Sequence, residues 1–571
     1  MSQLLNKIKV GNSKRSTFDL SHHQVTTSDF GYLIPICYRD MIPNDDFVVK
    51  PAVFCRLAPL AVPTYGRISC RLHHFFVPYR ILYNDWDSFI TGSSNNSTVP
   101  PYATSTDLDH VLLGDPQYNT SGQEIRGIFC RVLSNLGLNP LNFRFDQSEQ
   151  RISMFPLLAY YRIWLDYYMD SNLNDHELKI KHFNQYYATG GSFHSSALED
   201  LLKVRNCCYK KDYFTTAKTN PQDGNPSMVG VDLASPDYNP GLTPSDQARS
   251  VYVGTNGTVF TSGSSSDATT KVGQFTVEAL RAASSLQRYL ERNNYVGSKI
   301  INRLLAHFGV APTPERLDMA EYIGGDSFNI QIGDVTSTNS VSYEDYSVTQ
   351  GLGLQAGKGV GASQSGSVRY HAKEHGVFMT LMSILPDTAY YQGISRFWTK
   401  GVFGDPLDYY TPEFENLGYQ EILNKEVFMP SNNSYSNFDP DGVFGYTPRY
   451  SEYKFQNDVL AGDFVGNGPS ADQGTASYAD MDSWHLFRKF DFKNLSPLAL
   501  NNHFVECDNH NSDYDRVFQF TDNDYDHFYF NIDVDVKATR DMVGFAEPSL
   551  DSTNNQGDGN QIELPYGGTR L

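Results

Sequence analysis

Charge is scarce in this chain: Asp, Glu, Lys and Arg make up 19% of its 571 residues, below the ~25% of ordinary soluble domains. Basic charge is scarcer still, with 45 Lys and Arg against 65 Asp and Glu and a net charge of −20. Uniform wrapping of nucleic acid is thereby excluded, because phosphate binding needs Lys and Arg to replace condensed counterions. Any nucleic-acid contact must be local. The seven cysteines, Cys37, Cys55, Cys70, Cys130, Cys207, Cys208 and Cys507, are few, odd in number and free of C-x-x-C pairs. Neither a disulfide framework nor a zinc knuckle is indicated, and the chain reads as made in a reducing cytoplasm. No run of about 18 apolar residues occurs, and MSQLLNKIKVGNSKRS carries no signal-peptide core, so neither a membrane span nor secretion by the usual route is expected.

Linkers are missing too. No Gly/Ser tract or charge run separates blocks with their own cores, so residues 1–571 read as one domain despite a length that would ordinarily suggest several. What is abundant is aromatic: 37 Tyr and 36 Phe lift the aromatic share to 13%. Interface cores are depleted in charge and enriched in aromatics, so this balance fits a protein that meets copies of itself, although a large monomer with a big core fits as well.

Strand signals are strongest near the two ends. From His527 to Thr539, Phe528, Phe530, Ile532, Val534, Val536 and Ala538 alternate with Tyr529, Asn531, Asp533, Asp535 and Lys537. Ile68, Cys70, Leu72, His74 and Phe76 alternate likewise with Ser69, Arg71 and His73. Both are period-two patterns of strands buried on one face. End strands that pair with each other inside one sandwich fit a jelly roll, and another β-sandwich equally. The middle carries helices. Thr276 can cap one containing Leu280, Ala283, Leu286 and Leu290; Ile300, Ile301, Leu304, Leu305 and Phe308 form a second stripe; Phe155 to Tyr168 is a third. These stripes read as core. Residues 220–273 and 431–480, rich in Pro, Gly, Ser, Asp and Asn, read as long surface loops.

Several motifs invite an enzymatic reading, and each is weak. His371-Ala-Lys-Glu374-His375 matches H-x-x-E-H, but its flanks favour strands, where two His four apart stand ~13 Å from each other, too far to share a metal. Gly351 to Gly361 nearly spells a phosphate loop, yet lacks a buried strand before it and a helix after it, and reads as a flexible loop. Asp522, Asp524 and Asp526 imitate a calcium loop with His527 where Gly is needed and Asp533 where Glu is needed. His22-His23 and His73-His74 have no partners at metal spacing, and Cys207-Cys208 reads as two buried thiols. No catalytic residue, metal ligand or cofactor is assigned, and the chain is not read as an enzyme.

The block from Thr26 to Gly92, together with Gly309 to Phe328, Glu374 to Lys400, Leu417 to Phe428, Phe444 to Phe464 and Ser483 to Phe490, resembles in order the major capsid proteins of the Microviridae, small icosahedral single-stranded-DNA phages, most closely the gokushovirus branch. The resemblance implies a mainly β fold, an eight-stranded antiparallel jelly roll of viral capsid type with long loops and helix-containing insertions, among them 276–308. It implies a T=1 shell of sixty copies around circular single-stranded DNA, assembled in the bacterial host cytoplasm and carried in the virion. Further partners would be a small basic packaging protein, a DNA pilot protein and a host receptor. The segment after Asp212 to Ala217, where 220–273 lies, would project at the threefold axes and contribute to host attachment. Lys7, Lys9, Lys14 and Arg15, in a basic arm spanning 1–25, are the candidate DNA contacts on the interior. A cytoplasmic β-sandwich carbohydrate-binding protein or glycoside hydrolase is the rival reading.

Overall fold

The computed structural model describes residues 15–92, 99–113, 131–138, 150–170, 183–184, 186, 191–193, 195–224, 251–253, 259–261, 277–297, 299–336, 355–364, 366–402, 406–430, 438–465, 481–490, 500, 502–507, 514–519 and 526–542. Its strands, in chain order, are β1 (Ser16–Asp19), β2 (His22–Ser28), β3 (Ile34–Met41), β4 (Asp46–Leu57), β5 (Ile68–Pro78), β6 (Tyr102–Thr104), β7 (Arg151–Ser153), β8 (Val251–Val253), β9 (Val259–Thr261), β10 (Glu321–Thr336), β11 (Gln355–Gln364), β12 (Val368–His371), β13 (Gly376–Pro386), β14 (Tyr419–Leu423), β15 (Val443–Pro448) and β16 (Phe528–Arg540). The helices that matter below are α1 (Trp86–Thr91), α2 (Ser105–Leu113), α3 (Phe155–Ile163), α4 (Ser195–Leu202), α5 (Val277–Val296) and α6 (Ile300–Phe308).

One curled antiparallel sheet dominates, with an eight-strand path β1-β16-β4-β11-β10-β5-β13-β3; β2 and β12 are short additions beside β16 and β4. This is a mainly β, jelly-roll-type fold with helical insertions. Its two chain ends meet, though not through the patterned strand at Ile68–Phe76, since β5 pairs with β10 and β13: β16 pairs with β4 from Phe528↔Leu57 to Thr539↔Asp46 on one edge and with β1 and β2 on the other. The 16-residue β10 turns the corner, pairing with β5 through its first part and with β11 through its last. Inside the curl the alternating residues of β16 are all buried, against Phe47, Val49, Val53 and Cys55 of β4, Ile68, Cys70 and Leu72 of β5, and Phe378, Met382 and Ile384 of β13. At roughly 1.5–3 kcal/mol per large apolar side chain buried, β16 alone contributes on the order of 10 kcal/mol to the core.

β13 is buried along its whole length because it lies between two cores. Phe378, Met382 and Ile384 face the curl, whereas Val377, Met379 and Leu381 face a second cluster built on α3 and α4. There the Tyr160 hydroxyl donates to the Leu33 carbonyl at 2.8 Å and accepts from the Arg205 amide at 2.9 Å, tying the helical layer to the sheet. A third cluster gathers Tyr213, Phe214, Tyr390, Phe444 and Phe504 around the β14–β15 hairpin.

Three expectations need correction. The glycine-rich stretch before Gln364 is no flexible loop over its described residues but strand β11, whose alternate glycines face the sheet corner. A Cβ at Gly357 would lie 2.6 Å from the Val62 carbonyl oxygen and one at Gly359 2.6 Å from Leu57 Cδ1, so only glycine lets the backbones close there. The long loops hold some regular structure: β8 and β9 form a hairpin within 220–273, and β15 lies within 431–480. Finally, the apolar stripes of α5 and α6 are not core in the single chain. Leu280, Leu286, Ile300, Leu305 and Phe308 are all exposed, because within one subunit only part of the hairpin meets other elements. Thr276 lies outside the described residues.

Candidate assembly and nucleic-acid interface

The residues of H-x-x-E-H serve three separate neighbours. His371, the last residue of β12, bonds Asp46 through Nδ1 at 2.8 Å; Glu374 accepts from Arg80 Nε at 2.8 Å; the His375 ring stands edge-on to Trp86 at 5.9 Å. Gly376 follows because a Cβ there would fall 2.6 Å from the Val77 carbonyl oxygen. Among the described residues no group of three or more His, Cys, Asp or Glu could hold a metal ion. Asp526 pairs with Arg131 and Thr27; Asp522 and Asp524 lie outside the described residues. His22 accepts from Arg39 at 3.1 Å and His23 bonds Asn531, while His73 bonds the Tyr168 hydroxyl at 2.7 Å and His74 the Thr380 hydroxyl at 2.9 Å. Burial drives the His73 and His74 pKa values down to about 4, with Arg71 adding to the shift at His73 and His73 itself adding to it at His74. Burial likewise pushes the thiols of Cys37, Cys55, Cys207 and Cys208 up to about 12. The reactive thiolate is thereby suppressed. Cys207 is fully buried and Cys208 half-buried.

Of the basic arm, Lys7, Lys9 and Lys14 lie outside the described residues. Arg15 is a clamp: its guanidinium donates to Asp46 Oδ2 at 2.8 Å and to the Asn44 carbonyl at 2.5 Å, with Nε 3.2 Å from Asp541. A phosphate at Arg15 would compete with two carboxylates. Sequence reasoning did not foresee this, because Asp541 is more than 500 positions away and reaches Arg15 only through the β1–β16 pairing.

The stem of the 220–273 segment is anchored on α5. Asn294 Nδ2 donates to the Asn220 carbonyl at 2.6 Å, Gln287 Nε2 to Gln222 Oε1 at 2.6 Å, and the Asp223 amide to the Leu290 carbonyl at 3.3 Å. Beside the third cluster, a cavity of about 460 Å³ opens among Tyr213, Tyr390, Arg396, Trp398, Glu426 and Glu452. Its charges are mutually engaged. Lys400 Nζ lies 2.8 Å from Glu452 and 3.6 Å from the Tyr453 ring centre, and Arg396 Nη1 lies 3.2 Å from Glu426. Burial raises the Glu426 pKa despite Arg396; at Glu452 burial is outweighed by hydrogen bonds from Lys400 and Gln420, and the pKa falls. This is the geometry of a packed charge cluster, with no nucleophile–base pair.

A curled jelly roll closed by its own chain ends, with suppressed thiols, histidines committed to structural bonds and large apolar side chains left on its outside, defines a structural shell subunit. The comparisons agree. A family described as capsid protein (F protein) matches residues 6–550. Capsid protein VP1 of Chlamydia phage 1 is 27% identical over 96% of this chain and 98% of its own length; VP1 of Bdellovibrio phage phiMH2K is 26% identical over 94% and 95%, and VP1 of Spiroplasma virus 4 is 22% identical over 83% and 84%. The chain belongs to this capsid F-protein family of the Microviridae, and its role is structural, not enzymatic. Among the described residues no helix is long and apolar enough to cross a membrane.

Proposed function

We propose that this capsid protein assembles as sixty copies into a T=1 shell that packages circular single-stranded DNA in the bacterial cytoplasm, and that its 220–273 segment contributes to host attachment. The observation that carries the reading is the apolar surface of the single chain: Trp398 is 81% exposed, Phe308 75% and Phe455 61%. Patches of this kind on a soluble subunit mark surfaces meant to be covered by partners. DNA contact is assigned to the arm, with Lys7, Lys9 and Lys14 as phosphate contacts and Arg15 as the residue that moors the arm to the sheet. A small basic packaging protein and a DNA pilot protein are the expected interior companions, and a cell-surface receptor the exterior one. Three loop copies around a threefold axis would turn weak individual binding into avidity.

The test uses recovered particles. Changing Lys7, Lys9 and Lys14 to Glu should lower nuclease-protected DNA per particle without changing particle yield; unchanged DNA content removes the arm's role. Replacing 225–276 by a short Gly/Ser connection should leave particles that assemble but adsorb poorly to host cells. Unchanged adsorption removes the attachment role.

A further inference from the structure

α5 runs 20 residues, about 30 Å, and its own chain holds it mainly from Gln287 onward. Asn293 and Asn294 are buried, and Gln287 and Leu290 half-buried, against the 220–223 stem and α6. On the opposite side stand Val277, Arg281, Arg288, Arg292 and Tyr295, whose spacings of 4, 7, 4 and 3 bring all five onto one face at 100° per residue, and all five are exposed. Neither Arg281 nor Arg288 has an ion-pair partner among the described residues. A helix gains its stability from packing; Arg292 Nη1 reaches the Ala306 carbonyl of α6 at 3.5 Å, while Arg281 and Arg288 meet no hydrogen-bond partner among the described residues.

A second patch answers it in chemistry. Phe397, Trp398, Tyr409, Leu417, Phe455 and Val459 are exposed together with acids: Glu415 is paired with Lys454 at 3.4 Å, while Glu413 and Asp458 are exposed and have no ion-pair partner among the described residues. The patches adjoin. The Tyr419 hydroxyl donates to the Glu291 carbonyl at 3.5 Å, and a Cβ at Gly418 would lie 3.4 Å from the Glu291 carboxylate. Glu291 is itself engaged on α5, accepting from Gln287 Nε2 at 3.0 Å. Complementary patches lying side by side on one subunit meet when copies are rotated about a nearby axis, which is a heterologous contact that closes into a ring.

We propose that the arginine face of α5 docks on the acidic aromatic patch around Glu413 and Trp398 of a second copy of this chain. Arg, Trp and Tyr are the side chains that most often carry interface energy, and the charge complementarity fixes the orientation of the two copies. The inference rests on the shell reading and adds to it a specified contact.

A charge exchange tests it. Arg281→Glu with Arg288→Glu should lower shell yield by at least about ten-fold while the subunit keeps the wild-type melting temperature, since both sites are solvent-facing and Glu suits a helix. Glu413→Arg with Asp458→Arg should do the same, and the four changes combined should restore shells to within about two-fold of wild type. Shells at wild-type yield from the first variant overturn the contact, as does a combined variant that stays unassembled. Normal shells depleted of DNA would assign the arginines to nucleic acid, and a lowered melting temperature of the first variant would assign them to the chain's own 225–276 segment; either result overturns the proposal. A wild-type chain that forms no particle overturns the shell reading, and this contact with it.

Discussion

At Gly31 the backbone φ is +79°, and a Cβ would fall 1.8 Å from the Cys507 carbonyl oxygen, so glycine is demanded twice over, by conformation and by close approach. Gly31→Ala should destabilise the unassembled subunit by more than about 2 kcal/mol, read as a lowered urea midpoint at unchanged slope; an unchanged midpoint would refute the contact. His74 adds a pH dependence. Its folded-state pKa is depressed to about 4 by burial, with a further push from His73, so the unfolded chain binds more protons between there and the ordinary value near 6.5. The neutral ring's stability is complete above about 6.5 and drains away as pH falls toward 4, by up to ~1.4 kcal/mol per pH unit. His74→Phe should flatten that part of the stability–pH profile while costing about 1 kcal/mol at pH 7 for the bond to Thr380. The pair His73-His74 is visible in the sequence. Its meaning is not, because Tyr168 and Thr380 reach it from 95 and 306 positions away.

Among elements, β16 and the first half of β5 could be read from the sequence because each has one buried face, and burial on one face writes a period of two; from His74 on, β5 is buried on both faces. β13 leaves no such trace. All eleven of its residues are buried between two cores, so the sequence offers a continuous apolar run that periodicity cannot resolve. In β11 the period is carried by Gly357, Gly359 and Gly361, residues usually taken to break strands, and the close packing that selects them exists only once β10 and β4 are in place. The one-sided burial of β16 gives a sharp contrast between neighbours. Ile532→Ala should cost about 2–5 kcal/mol of subunit stability and Asp533→Ala less than about 0.5, measured by urea unfolding. Equal effects at the two positions would contradict the register with Val53 and Ala52.

For the whole molecule, the fold class was legible because β5 and β16 carry strong patterns and the chain between them has no linker. The binding surfaces were less so. The stripes of α5 and α6 announce apolar faces, but a stripe looks the same whether its own chain or a neighbour covers it, and the exposure of Leu280, Leu305 and Phe308 tells which. Scarce charge and abundant aromatics pointed to that outcome as a balance over the chain without naming a patch. The basic arm illustrates the opposite case: four cations in sequence look alike, while the fold commits Arg15 to Asp46 and Asp541. The account as a whole stands on assembly. Its most direct test is the mass of the particle formed by the wild-type chain, by sedimentation velocity or mass photometry over a range of ionic strength. The account predicts a closed shell of sixty copies of the 64.3 kDa chain; a species no larger than a hexamer under every condition would contradict it.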